Sequence, residues 1–279
     1  MATDEIRNLV VVSDLHCGCR AGLCPPDAVQ LDGGGTYAAG EGQVMLWAAW
    51  REFWDEWVPE VTKGEPFAVV VNGDALDGTH HGSKTQVSQN HADQLAIAQA
   101  ILEPVVEACD GRFYLLRGTE AHAGKSGEHE ETLARALGAV PDDKGLRSRF
   151  ELFVRVGDGL AHVMHHIGTT GASHYESTAV IKEMVEGFVE SGRWGDRAPD
   201  VVVRSHRHRH IEVRIPTKIG YGVSFVTAGW QLKTPFTYRV AGGRITTPQI
   251  GGHLIRQGDQ DLHTRHRVWR LARPTVVEL

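Results

Sequence analysis

Short β-branched runs that end in polar residues alternate with helical stripes along the first half of the chain. Residues 8–13 (NLVVVS) are too few for a helix and read as a buried strand. From Gln43 to Lys63, Trp47, Trp50, Trp54, Trp57 and Val61 recur at steps of three and four, so they share one helical face and belong to a core. A second strand at 67–71 precedes a helix at 92–109, which Pro104 is expected to kink. Cys109 continues the apolar stripe of that helix, made by Leu95, Ala98, Leu102 and Val105. A third strand at 112–116 leads to a short helix ending at Leu137. Ser126 is its expected N-cap, with Glu128, Glu130 and Glu131 placed to suit the helix dipole.

Beyond Arg149 strands dominate: 150–156, 160–164, 201–204, 211–215 and 223–227, with a helix at 175–190 and a last strand at 268–277. Such an order predicts mixed α/β layering, in which functional residues gather on loops at the carboxyl ends of strands. No linker, charge block or repeat divides the 279 residues. One domain over 1–279 is expected, with 241–279 an extension packed on it.

A composition of 41% hydrophobic and 23% charged residues suits a globular core, and the net charge of −6 excludes a broadly basic surface made to coat nucleic acid. A local basic site stays open. Residues 1–7 are acidic and polar, and no apolar run approaches membrane-spanning length. A soluble, cytoplasmic protein with no membrane partner is expected, its oligomeric state unreadable. Cys17, Cys19 and Cys24 cluster without a second Cys-x-x-Cys pair, so reduced thiols are expected; a thiolate from Cys17 or Cys19 would bias a neighbouring site towards zinc. Two patterns lack a needed residue: 129–133 has no second histidine for a zinc-protease helix, and Gly33 to Gly35 no lysine for a phosphate loop.

The chemistry sits at the strand ends. In order these are Asp14 and His16, Asp74 with Asp77, the run Gly118 to His122, His165 with His166, and His206 with His208. Carboxylates and imidazoles crowded on one sheet edge would repel or stay unsatisfied without a cation, so metal binding is the economical explanation. The series Asp-x-His, Gly-Asp-x-x-Asp, Gly-x-x, His-His, His-x-His, each piece after a strand, resembles the calcineurin-like metallophosphoesterase superfamily over about 8–229. Stand-alone chains with Gly-Thr-x-x-His and a late Ala-Gly-Trp (Ala228, Gly229, Trp230) resemble phage or prophage members of it.

The resemblance implies a four-layer α/β/β/α sandwich with two divalent metals, manganese first among iron, zinc, nickel and cobalt. Asp14, His16, Asp74 and His208 would surround one metal and Asp74, His165 and His206 the other, with Asp74 as bridge and water activated between the cations. Arg117, Arg204, Arg207 and Arg209 are candidates to add positive field at the phosphate. Asp77 would orient His16 or His208. His165 and His166 are strand neighbours facing opposite ways, so only one is a ligand by that geometry, and His165 is expected. His166 and His210 then belong to substrate binding or structure.

The chain departs from the family where Asn and His are usual after the third strand: Thr119 and Glu120 stand there. The second site is then rebuilt around Glu120 or is weaker, and His122, two residues on, is the candidate proton donor. The implied activity is hydrolysis of phosphate esters, with phosphodiesters, nucleotides or nucleic acid favoured as partners because good leaving groups tolerate a weak acid. The alternatives are a phosphomonoesterase acting on nucleotides or phosphoproteins, and a metal-stabilised binding module.

Overall fold

β1 (Asn8–Val12) is buried along its whole length, with Val10 and Val12 facing one core and Leu9 and Val11 another. Two-sided burial is why residues 9–12 are continuously apolar instead of alternating. The computed structural model describes residues 5–80, 82–168, 173–218, 220–239, 246–272 and 275–278; the expected boundary at Ala241 lies outside them. After β1 come a small hairpin, β2 (Val29–Gln30) and β3 (Thr36–Tyr37), then α1 (Glu41–Glu52), which passes through one π-helical turn, Phe53–Trp57, into α2 (Val58–Thr62). Next are β4 (Ala68–Asn72), α3 (His91–Ala108), β5 (Phe113–Leu116), α4 (Glu120–Ala123) and α5 (Glu128–Ala136). The second half holds β6 (Ser148–Arg149), β7 (Glu151–Val156), β8 (Gly159–Met164), α6 (Glu176–Trp194), β9 (Val201–Arg204), β10 (Ile211–Thr217), β11 (Gly220–Val226), β12 (Gln249–Gln257) and β13 (Leu262–Arg270).

Two sheets result, ordered β13-β12-β1-β4-β5-β6 and β10-β11-β9-β8-β7. β1, β4, β5 and β6 run parallel, as do β8, β9 and β11, so their carboxyl ends gather at one edge. Leu9, Val11, Val70, Val163, Val203 and Phe225 fill the space between the sheets. On the outer face of the first sheet, Trp50, Phe53, Ile97, Ile101 and Leu133 pack with Trp230. α6 covers the second sheet. The layers are α/β/β/α, as the resemblance implied.

The core helices and central strands stand where the apolar pattern predicts them, and Trp50 packs edge to face on Trp230 at 4.9 Å. α3 continues through Pro104. Three expectations are corrected. The cap of α5 is Gly127, with φ of 74°, and Ser126 instead donates from N and Oγ to Glu128 Oε2 at 2.9 and 3.0 Å. α6 extends to Trp194, where Gly195 ends it in a left-handed turn. The final strand is β13, ending at Arg270, and β12 beside it has no counterpart in the pattern. Gly251 and Gly252 hide that strand: a Cβ at the first would meet Arg267 O at 2.0 Å and at the second the Phe53 ring at 2.4 Å. Close backbone approach requires both glycines and breaks the alternation. Residues 249–270, inside the stretch set apart as an extension, therefore supply two strands of the first sheet, β12 pairing directly with β1.

Candidate metal centre

The turns after β1 and β4 run side by side, tied by Asp14 N–H to Gly73 O, His16 N–H to Asp74 O and Cys17 N–H to Ala75 O. The second sheet contributes His165 after β8 and the turn 205–208 after β9, joined by Ser205 N–H to His165 O. A buried polar chain stitches the two sheets beneath the site. Ser13 Oγ and Thr227 Oγ1 are 2.6 Å apart, Thr227 Oγ1 donates to Ser205 Oγ at 2.8 Å, and Asn72 Nδ2 donates to Ser205 Oγ at 2.6 Å. Ser13 Oγ also donates to Asp14 Oδ2 at 2.5 Å.

On this frame the candidate ligands converge. His208 Nε2 lies 3.3 Å from Asp14 Oδ1 and 3.3 Å from His16 Nε2, so three donor atoms face one point. His165 Nε2 lies 3.1 Å from Asp74 Oδ2, and His206 completes a second group with them. A third grouping of His16 and Asp74 with His122 links the two. Among the described residues, seven that are not glycine have positive φ, and five of them are Asp14, His16, Asp74, His206 and His208.

The donors fit cations. Asp14 is fully buried, and its Oδ1 has no hydrogen bond among the described residues. His16 Nε2 and His208 Nε2 lie 3.3 Å apart, a spacing that one shared proton or one cation between them satisfies. Burial alone would raise the Asp14 carboxyl, yet the charge of the facing His208 holds it well below the usual carboxylate range. Burial likewise opposes a charge on His165, but Asp74 lifts that imidazole to about 10. Protons thus answer the electrostatic demand that cations would meet. His165 is oriented by Nδ1–H donation to Asn72 O at 2.7 Å, and His16 has Asp77 Oδ1 3.3 Å from its Nδ1, an ion-pair distance without good hydrogen-bond alignment.

The turn after β5 places Thr119 directly on Asp74. Its N–H donates to Oδ1 at 2.7 Å and its Oγ1 to Oδ2 at 3.0 Å, with Oγ1 also 3.3 Å from His206 Nδ1. Glu120 is exposed, opens α4 and joins none of the ligand groups among the described residues. His122 Nδ1 lies 2.5 Å from Asp77 O, so this nitrogen carries the hydrogen and Nε2 of the neutral ring can only accept. Burial, then His16, pushes its pKa down to about 4. Arg117 is turned away from the edge: it donates to Ser148 Oγ and Ser126 O, both at 2.8 Å, and stacks on Phe150, so its guanidinium is committed to the β5 and β6 region.

His166 is exposed beside the site, its ring 5.7 Å from that of His206. His210 packs with His253 and His266, ring centroids 4.8 and 4.1 Å away. Arg204 is buried on Glu183 at 2.8 Å, and Arg209 pairs with Glu176 at 3.3 Å. Arg207 reaches Gly168 O from the cleft wall. The four cysteines are free and buried; burial pushes the Cys17 thiol well above its ordinary value and Cys19 to about 11, and among the described residues neither joins a candidate ligand group.

A search of protein-family models and one of curated proteins found no match. Among solved structures, the chain is similar to a single-mutant Vps29 from Entamoeba histolytica, at 10% identity and TM-score 0.36, over 94% of this chain and 99% of that one. Vacuolar protein sorting 29 from Cryptosporidium parvum aligns at 11% identity and TM-score 0.38, over 95% and 99%. The sulfate thiohydrolase SoxB of Thermus thermophilus, in complex with glycerol, aligns at 15% identity and TM-score 0.36, over 94% of this chain and 56% of SoxB. At these identities and scores the likenesses bear no weight on activity, and the fold rests on the sheet order and layers above.

The site opens into a cleft of about 1010 Å³. His16, Asp74, Thr119 and His122 line its floor, while Lys84, Phe236 and Arg239 stand on its walls. Sequence reasoning missed Ser13, Asn72, Ser205, Thr227 and Glu130, all buried polar residues near the ligands. One signal was available: Ser13 directly follows β1 and Asn72 ends β4, each after an apolar run, where a buried polar residue needs a partner. Among the described residues no helix is long and apolar enough to cross a membrane.

Proposed function

We propose that the chain is a phosphoesterase that works with two divalent cations, held by Asp14, His16 and His208 on one side and by Asp74, His165 and His206 on the other. The observation that carries this reading is the convergence of those donor atoms at the ends of strands from both sheets, around a buried carboxylate oxygen with no hydrogen bond among the described residues. When bound, such a pair supplies Lewis acidity and a water made nucleophilic near neutral pH. The carbonyl of Asn72 fixes the ring of His165, and Asp77 Oδ1 stands 3.3 Å from Nδ1 of His16. His122, with Nδ1–H spent on a carbonyl, accepts a proton or a ligand at Nε2 and donates none while neutral. Leaving groups that need little protonation are therefore favoured, in phosphodiesters and phosphomonoesters alike. The cleft is far larger than a phosphate group, and the cationic Lys84 and Arg239 with Phe236 on its walls support a nucleotide or nucleic-acid substrate. Imidazole and carboxylate donors suit manganese, iron, nickel or zinc, and manganese is the one to load first.

A binding module is the second reading, favoured by Thr119, a neutral hydroxyl where a stronger ligand is usual. The deciding experiment is metal analysis with bis(p-nitrophenyl)phosphate turnover after manganese loading. About two equivalents and turnover, with turnover and the ion at Asp74 lost in Asp74→Ala, support the enzyme, while one equivalent in wild type and no turnover with several metals supports the module.

A further inference from the structure

We infer that Glu130 is a positioning residue for the second cation position, its carboxylate clamping together the two turns that carry Asp74 and Thr119. This rests on the reading of Asp74, His165 and His206 as ligands. Glu130 lies in α5 and is 0% exposed. Its Oε1 accepts the N–H of Ala75 at 3.0 Å and its Oε2 the N–H of Gly118 at 2.6 Å. Those amides belong to the residue after Asp74 and the residue before Thr119. One planar group thus sets the spacing of the turns leaving β4 and β5. Thr119 joins the same two turns from the other side, through its two bonds to Asp74.

Packing does not explain the residue, because an apolar side chain would fill the space without the cost of a buried acid. Burial and the nearby Asp74 charge push the Glu130 carboxyl up to about 7, so the fold keeps it against its electrostatics. Two acceptor oxygens at one position are what the paired amides require. Glutamine is nearly the same shape but offers one acceptor and one NH2, which would face a backbone donor.

The test is calorimetric titration of metal-free wild type, Glu130→Gln and Glu130→Ala with Mn2+, with the melting temperature of each. His206→Ala and His208→Ala show which binding step belongs to which position. In Glu130→Gln the step lost in His206→Ala should weaken about 10- to 100-fold while the other stays within about threefold. Unchanged affinities, or an equal fall in both, overturn the assignment. If Glu130→Ala does not fold, Glu130→Gln decides. Wild type that binds two ions, with Glu130→Gln unchanged, sinks the role of Glu130 alone; wild type that binds none sinks the metal reading and this inference together.

Discussion

Gly118→Ala adds one methyl group at the most crowded point of the candidate centre. Its Cβ would stand 2.0 Å from Asp74 Oδ1 and 2.3 Å from Asp74 N, where ordinary contact begins at 3.4 Å. Relief therefore requires about 1.4 Å of movement between the turn after β5 and Asp74. Gly118 has no unusual φ to restrict an alanine, so the effect isolates the contact. Such a shift breaks the Gly118 N–H bond to Glu130 and the Thr119 N–H bond to Asp74, 2.6 and 2.7 Å in length. Each buried bond left unmade costs about 1–3 kcal/mol, giving a loss of about 2–6 kcal/mol. At about 2.1 cal/mol/K per residue, 279 residues have an unfolding entropy of about 0.6 kcal/mol/K. The melting temperature should then fall by about 3–10 °C. Differential scanning calorimetry of the metal-free protein measures this, and Mn2+ titration should show a weakened ion at Asp74. A melting temperature within about 1 °C of wild type with unchanged Mn2+ affinity would refute the reasoning.

Two further outcomes follow from the same geometry. Chelation with EDTA should lower the melting temperature and excess Mn2+ restore it, since a ligand at about 100 times its Kd stabilises by about 2.7 kcal/mol per site; equal melting with and without metal would contradict binding to the folded state. Glu131 accepts from Ser148 N and Oγ at 2.7 and 2.8 Å and from Arg147 N; against the opposing effect of burial, these bonds hold its carboxyl below the ordinary value. A lowered folded pKa gives stability that is present above the unfolded value, about 4.3, and lost as pH falls through the folded one. Glu131→Gln should therefore cost about 1–3 kcal/mol at pH 7, a gap to wild type that narrows in urea melts between pH 5 and 3 (about where carboxyls titrate); a gap independent of pH would exclude this linkage.

The strands that hold the candidate ligands were legible because two-sided burial writes them as short β-branched runs, and residues 8–13 and 67–71 stop where polar side chains begin. Their rhythm predicted mixed α/β layering, and the resemblance implied the α/β/β/α order. What the pattern concealed has local causes. β12 carries paired glycines against Phe53 and Arg267, so it lacks a strand's alternation. Thr119 and Glu120 are adjacent, and ligand chemistry ranks the carboxylate higher; the backbone instead starts α4 at Glu120 and leaves Thr119 on Asp74. Arg117 looks available for a phosphate in sequence, but Ser148 and Ser126 occupy its donors. Glu130 and Ser205 act through backbone amides and hydroxyls that are distant in sequence, which no local spacing records.

The Asp-x-His and His-x-His spacings acquire a common physical meaning from the backbone. In a strand, residues two apart share a face, but Asp14 and His16, like His206 and His208, lie beyond the strand ends, and all four have positive φ, from 45° to 75°. The chain thus turns left-handed at both ligand residues of each arm, with Leu15 or Arg207 between them. Asp and His are among the non-glycine residues found more often in that region, while β-branched residues are strongly opposed. Left-handed backbone costs about 1–2 kcal/mol per residue, so the four positions and Asp74 hold about 5–10 kcal/mol. That is comparable with the whole stability of an ordinary domain, about 5–15 kcal/mol. Cross-strand bonds such as Asp14 N–H to Gly73 O and His16 N–H to Asp74 O offset part of it. All five of these positions are candidate ligands, and backbone held in that region by turns bonded to their neighbours fits a cation site organised before the ion arrives.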